Sequence, residues 1–130
     1  MREQLKRVRH LFDQIVEEGR PKDWFAADDR GDVYQTLMDL SRRRDDWLGN
    51  VLLTAALAWE AARSSAPPGG APISKIESIT QEQWLDTDAD LVVASWDLRM
   101  QREAAEDGRA WVHVALTHLN NLERRAHSRS

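Results

Sequence analysis

His10, Asp13 and Glu17 step by three and four along the start of the chain, which puts an imidazole and two carboxylates on one side of a helix. One such set is part of a metal site. A closed site needs donors from a second element, and no matching His/carboxylate pair recurs elsewhere. A solvated polar face is therefore the expectation. His113 and His118, five apart, turn to different faces and cannot chelate as a helical i,i+4 pair. Asp86, Asp88 and Asp90 alternate like the opening of an EF-hand loop. The sixth position of that loop needs Gly and is Leu91; the twelfth needs a bidentate Glu and is Asp97. Caps for a following helix explain these aspartates better.

A small metal- or nucleotide-dependent helical enzyme, of the nucleotide pyrophosphohydrolase kind, needs acidic pairs one turn apart on two facing helices to hold Mg²⁺. Glu103 and Glu106 have that spacing, but the apolar stretch Trp47–Ala62 offers only Glu60 to face them. There is no Cys, and no Ser or His stands in a nucleophile motif. The expectation is a protein that is not an enzyme and carries no metal or cofactor.

What remains is surface chemistry. His113, Thr117, Asn120 or Asn121, and Arg124 stack at helical spacing and form a hydrogen-bonding strip for a partner, or else plain wet surface. Trp24 and Phe25 sit in the loop RPKDWFAADDRG, where they either plug the core from outside or serve as a binding spot. Arg42, Arg43 and Arg44 have the charge to contact phosphates. Their place at a helix C-terminus, followed by two Asp, is explained equally by the helix dipole.

These residues need helices to position them. Trp47–Ala62 reads WLGNVLLTAALAWEAA. Leu48, Leu52, Ala55, Trp59 and Ala62 fall on one side, and Trp47, Val51 and Ala58 extend the apolar surface round the flank. A helix apolar over most of its circumference must be covered by its neighbours. It is too short, and too interrupted by Asn50, for a membrane span. Asp45 or Asp46 can cap it.

Before it, Met1–Glu18 carries an apolar stripe of Leu5, Val8, Phe12 and Ile15, with Leu11 and Val16 alongside. Gly19 and Pro21 end that helix. Its charges oppose the dipole. Arg2, Lys6, Arg7 and Arg9 lie at the positive end, and Asp13, Glu17 and Glu18 at the negative end. Either an antiparallel neighbour or a partner compensates, or a solvated face tolerates the small cost. Asp32 to about Arg44 forms the second helix, with Asp32 as its cap and Val33, Leu37 and Leu40 inside.

After the central helix, residues 64–73 form a Pro/Gly-rich loop between two helical layers. Thr80 and Gln83 make a capping box, with Ile79 and Trp84 as its hydrophobic staple. A helix runs to Asp107, either starting afresh at Thr87 or continuing from Thr80, with Ala89, Val93, Trp96 and Met100 as its stripe. Asp107-Gly108 reads as a turn. A last helix runs Arg109–Ala126 with Val112, Ala115, Leu119, Leu122 and Ala126 inside, and residues 127–130 fray.

The totals agree with this architecture: an all-α bundle of four to five amphipathic helices around one apolar helix. At 130 residues it is one domain, able to bury roughly 65–70% of its unfolded surface. The net charge of −4 argues against a general phosphate-backbone binder. The absence of cysteine and the charged start fit a soluble, cytoplasmic protein with no membrane partner. Six Trp in such a chain are expected to dominate the core, with one or two at an interface. The leading functional expectation is a non-catalytic protein-interaction module: an adaptor, regulator or assembly subunit whose partner is another protein or a second copy. The alternative is a nucleic-acid-associated helical protein using Arg42–Arg44 and the basic start of the first helix.

Overall fold

The structure, a computed structural model, describes residues 1–27, 30–44, 46–66 and 89–128, the stretches 89–97 and 127–128 by backbone alone. Among the described residues five helices follow one another: α1 (Arg2–Glu18), α2 (Lys22–Phe25), α3 (Val33–Arg42), α4 (Trp47–Ser64) and α5 (Ala89–Ser128). No strand occurs among the described residues. The fold is an all-α bundle. The capping box at Thr80, its staple, the Asp86–Asp90 alternation and most of the Pro/Gly-rich loop lie outside the described residues.

α1 forms where the apolar spacing demanded it and buries Leu5, Val8, Leu11, Phe12 and Ile15. Gly19 ends it with φ 68°, a left-handed conformation that a side chain would strain, and its N–H donates to the Ile15 carbonyl at 2.8 Å. The reversed charges of α1 are answered by an antiparallel neighbour. Arg2 meets Glu123 at 2.6 Å and Asp13 meets Arg109 at 3.4 Å, so α1 runs against the C-terminal half of α5.

α4 is the centre of the bundle. α5 packs along one flank and α3 along another, with α2 at its C-terminal part. Leu48, Val51, Leu52, Ala55, Ala56, Trp59 and Ala62 are buried. The cover is not complete: Trp47 and Leu57 are 53% and 56% exposed. Asp46, rather than Asp45, supplies the cap, accepting from the Gly49 N–H. Gly49 is required by proximity, because a Cβ there would stand 2.5 Å from the Arg44 carbonyl oxygen. The Ser41 hydroxyl donates to the Gly49 carbonyl at 2.8 Å and locks the tight α3–α4 connection.

Several expectations are corrected. Asp107-Gly108 is no turn: α5 is one continuous helix of 40 residues through that point. Gly108 is there because the Phe12 ring lies on it, 2.3 Å from where a Cβ would be. The expected loop around Trp24 and Phe25 contains the single helical turn α2, begun by Pro21 in an extended conformation. Asp32 occupies the cap position of α3 but makes no side-chain cap bond; its carboxylate lies 3.7 Å from Arg7 on α1. Met100, expected inside, is 58% exposed. Ala89, Val93 and Trp96 of that expected stripe have no described side chains; among the described residues of α5, Leu98, Gln101, Ala105, Gly108, Val112, Ala115 and Leu116 are buried. The helix also persists through Ser128, beyond the expected end at Ala126. The side chains of Trp84 and Trp96 lie outside the described residues. Of the four whose side chains are described, Trp59 is buried, Trp24 half-buried, and Trp47 and Trp111 exposed.

Gln101 is the buried polar residue the sequence reading missed. Its Nε2 donates to the Arg20 carbonyl at 2.8 Å and to the Ala62 carbonyl at 3.3 Å, and its Oε1 accepts from the Arg20 N–H at 3.0 Å. One side chain thus ties the α1–α2 connection and the end of α4 to α5. Replacement by Leu leaves these backbone groups unpaired, at roughly 1–3 kcal/mol for a buried group. A lower urea midpoint for Gln101→Leu is expected. Gly108→Ala gives a sharper test. Helix propensity alone favours Ala by about 1 kcal/mol. The Phe12 contact predicts the opposite sign, a net loss of about 1–3 kcal/mol from overpacking. Phe12→Leu in the same chain should make the Gly108→Ala step less costly in a double-mutant cycle.

Candidate functional site

The outer face of α4 carries Trp47, Asn50, Thr54, Leu57 and Ala61 at alternating spacings of three and four. Asn50 and Thr54 explain why this face stays wet; the Thr54 hydroxyl donates to the Asn50 carbonyl at 2.8 Å. A parallel arithmetic on α5 lines up Met100, Ala104, Asp107, Trp111, Val114, His118 and Asn121. α4 and α5 are antiparallel neighbours, with Trp47 against His118 near one end and Ala62 against Gln101 near the other.

Where the two faces meet, Trp47 stands over a shallow groove of about 310 Å³ lined by His113, Val114, Thr117, His118 and Asn121. The His118 ring meets the Trp47 ring edge-on, 5.1 Å between centroids and 76° between planes. Trp47 is positioned from behind. Arg44 grips Asp46 through Nη2 at 2.7 Å and Nε at 3.2 Å, and Asp46 caps the helix that Trp47 begins. The groove offers an apolar wall, two imidazoles, a hydroxyl and an amide, which suits recognition of a mixed polar and apolar surface.

A second and larger cleft, about 670 Å³, opens between α2, α3 and the C-terminal part of α4. Its inner wall includes Phe25 and Trp59, and its rim carries Lys22, Arg30, Tyr34, Glu60 and Arg63. A third cavity, about 470 Å³, lies between the start of α1 and the end of α5, where Leu119 and Leu122 adjoin the Arg2–Glu123 pair.

The structure separates the candidates named from sequence. His113 and Thr117 line the Trp47 groove, whereas Asn120 and Arg124 are exposed on α5 without lining it; Asn121 takes the place of Asn120. Phe25 is 2% exposed and presents no surface to a partner. Trp24 is half-buried against Phe25 and Trp59, with the Arg30 guanidinium 4.6 Å over its ring. Phe25 thus packs wholly, and Trp24 in part, against the core. Two of the three arginines proposed for phosphate contact are engaged by carboxylates: Arg42 lies 3.7 Å from Asp39, and Arg44 holds Asp46. Arg43 is exposed.

His10 sits 3.1 Å from Gln14, and Asp13 faces Arg109, so the His10–Asp13–Glu17 set does not converge. Among the described residues no group of three or more His, Asp or Glu is placed to hold a metal ion, and no helix is long and apolar enough to cross a membrane. Trp47 and His118 are the site residues the sequence reading left out. The signal was the helical phase of Trp47, which puts it with Asn50 and Thr54 rather than with Leu52 and Trp59.

No family model, curated protein or solved structure matches this chain.

The Asp46 cap carries a pH signature. The Arg44 hydrogen bond is the main cause holding the Asp46 carboxyl at about 2, below its usual 3.8, with the Gly49 N–H assisting and desolvation opposing. A carboxyl lowered by folding stabilises the fold above the unfolded value and loses that contribution as pH falls toward the folded one. The stability gap between the native chain and Asp46→Asn should be full above about pH 4 and close as the pH approaches about 2. Thermal unfolding of both chains across that range checks it; a gap independent of pH would contradict the Arg44–Asp46–Gly49 arrangement.

Proposed function

We propose that this protein is a non-catalytic interaction module that binds another protein across the outer face of α4 and α5, with the Trp47 groove as its anchor point. The observation that carries this reading is Trp47 itself, 53% exposed and braced by His118. An indole left half in water is a standing cost, and it is recovered when a partner covers it. Trp is also the residue most enriched among those that dominate binding energy.

The surroundings support the same reading. Leu57, Met100 and Trp111 are the other large apolar residues exposed on the two helices among the described residues. His113, Thr117, His118 and Asn121 supply hydrogen-bonding groups beside the indole. Such a face suits a helix or a short hairpin of a partner, read by apolar anchors and flanked by polar contacts. The nucleic-acid alternative draws no comparable support, since Arg42 and Arg44 face neighbouring carboxylates.

The test is affinity capture from the native host with the intact chain and with Trp47→Ala. Removing an exposed indole should leave the fold intact, because the core does not include it. Loss of specific captured proteins, with thermal stability unchanged, is the expected result. Identical captured sets from both chains would reject Trp47 as the anchor.

A further inference from the structure

The groove beneath Trp47 does not end at its own lining. Glu103, Asp107, Ala110, Val114, Thr117 and Asn121 recur at alternating spacings of four and three, which makes them one continuous line on α5. Val114, Thr117 and Asn121 line the groove, so the line leads out of it onto Asp107 and Glu103. A second line beside it, Glu106, Ala110, His113 and Thr117, also runs from the groove to a carboxylate. From Glu103 to Asn121 this track is roughly 27 Å long, at a helical rise of about 1.5 Å per residue.

Glu103, Glu106 and Asp107 are all exposed. Among the described residues none of the three takes part in an ion pair or a side-chain hydrogen bond. Arg109 is turned to α1, where it meets Asp13 at 3.4 Å. Arg99, one turn before Glu103, has a partner of its own. The α4 side of the same face adds no charge, its outer line being Trp47, Asn50, Thr54, Leu57 and Ala61. Glu60 lines the cleft on the other flank and is paired with Arg63 at 2.6 Å. The face thus joins uncovered apolar side chains to an acidic edge on one side. That pattern is complementary to an amphipathic helix of the opposite charge, in which apolar anchors supply affinity and charges fix orientation. The same edge opposes a phosphate backbone or an anionic lipid surface. A second copy would bring the same acidic edge and no complementary one, since a two-fold interface sets one patch against itself.

Resting on the reading of the Trp47 groove as an anchor point, we infer that the segment docking there is a basic amphipathic helix of another protein. It lies along the α5 track. An apolar side chain enters the groove beside Trp47 and Val114, and Lys or Arg side chains two and three turns further on meet Asp107 and Glu103. Glu106 stands beside them at the outer edge. The indole supplies affinity, and the carboxylates select the partner and its direction along the track.

Amide NMR of the full chain, titrated with a designed Leu/Lys amphipathic helix of about 18 residues, tests the inference. The control is the same peptide with every Lys replaced by Glu. Saturable shifts at residues 47–57 and 103–121 are expected with the basic peptide and not with the acidic one. Glu103→Gln with Asp107→Asn in one chain should weaken binding by about tenfold, the loss of two exposed charge pairs. Glu3→Gln with Glu17→Gln makes the same change in net charge on α1 and should leave the affinity within about twofold. Trp47→Ala should weaken binding as well. All five positions are exposed, and unchanged thermal unfolding checks each fold. Equal binding of the two peptides, both lost in Trp47→Ala, overturns the basic partner and leaves the anchor standing. Binding that resists Trp47→Ala overturns the inference and the anchor with it. A loss in Glu3→Gln/Glu17→Gln equal to that in Glu103→Gln/Asp107→Asn overturns the track, as does no saturable shift at millimolar basic peptide. A dimer in sedimentation that Trp47→Ala dissociates overturns it in favour of a second copy.

Discussion

The Trp59 indole is the contact on which the bundle converges. It meets Phe12 of α1 at 5.4 Å, Phe25 of α2 at 5.2 Å and Trp24 at 6.1 Å between ring centroids. Two of the three are edge-to-face pairs, the geometry that aligns the positive rim of one ring with the negative face of the other. Phe12 in turn lies on Gly108, where α5 has no side chain to hold it off. Four helices are thereby joined through one cluster of rings. The polar bridge of Gln101 closes the same region by pairing the backbone of Arg20 and Ala62. Two otherwise unfavourable choices, a glycine and a buried amide inside a long helix, are accounted for by this one junction.

The placement of charge follows from the same packing. α1 alone has its dipole poorly matched by its side chains. Set antiparallel to α5, the basic start of α1 finds Glu123, and Asp13 in its later part finds Arg109. These pairs are partly exposed, and each adds little to stability. Their effect is on register, because sliding α1 by one turn would separate both at once. The same register sets Phe12 over Gly108.

The proposed function rests on what this arrangement leaves outside. The buried faces of α4 and α5 face α1, α2, α3 and each other, so Trp47, Leu57, Met100 and Trp111 remain on the outer side. The cleft at the other flank of α4 is bounded by α2, a single turn whose Phe25 packs against Trp59. A shallow groove and a larger cleft thus lie on opposite flanks of one central helix.

Helix content, the apolar stripes of α1 and α3, the central role of α4, the Gly19 terminus and an aspartate cap on α4 were all legible in the sequence. Each depends on local spacing or on one residue's backbone preference, and both act within a turn or two of chain. That His113 and Thr117 share one side of a helix was legible for the same reason. What tertiary structure decided was every matter of which face meets which neighbour. Asp107-Gly108 has the composition of a turn, and only the arrival of Phe12 makes Gly108 a mid-helix contact. Gln101 reads as surface until Arg20 and Ala62 are brought to it. Trp47 reads as core until α3 and α5 cover the other sides of α4 and leave its own side bare. Burial is a property of pairs of elements, and a one-dimensional pattern specifies a face without naming what will lie against it.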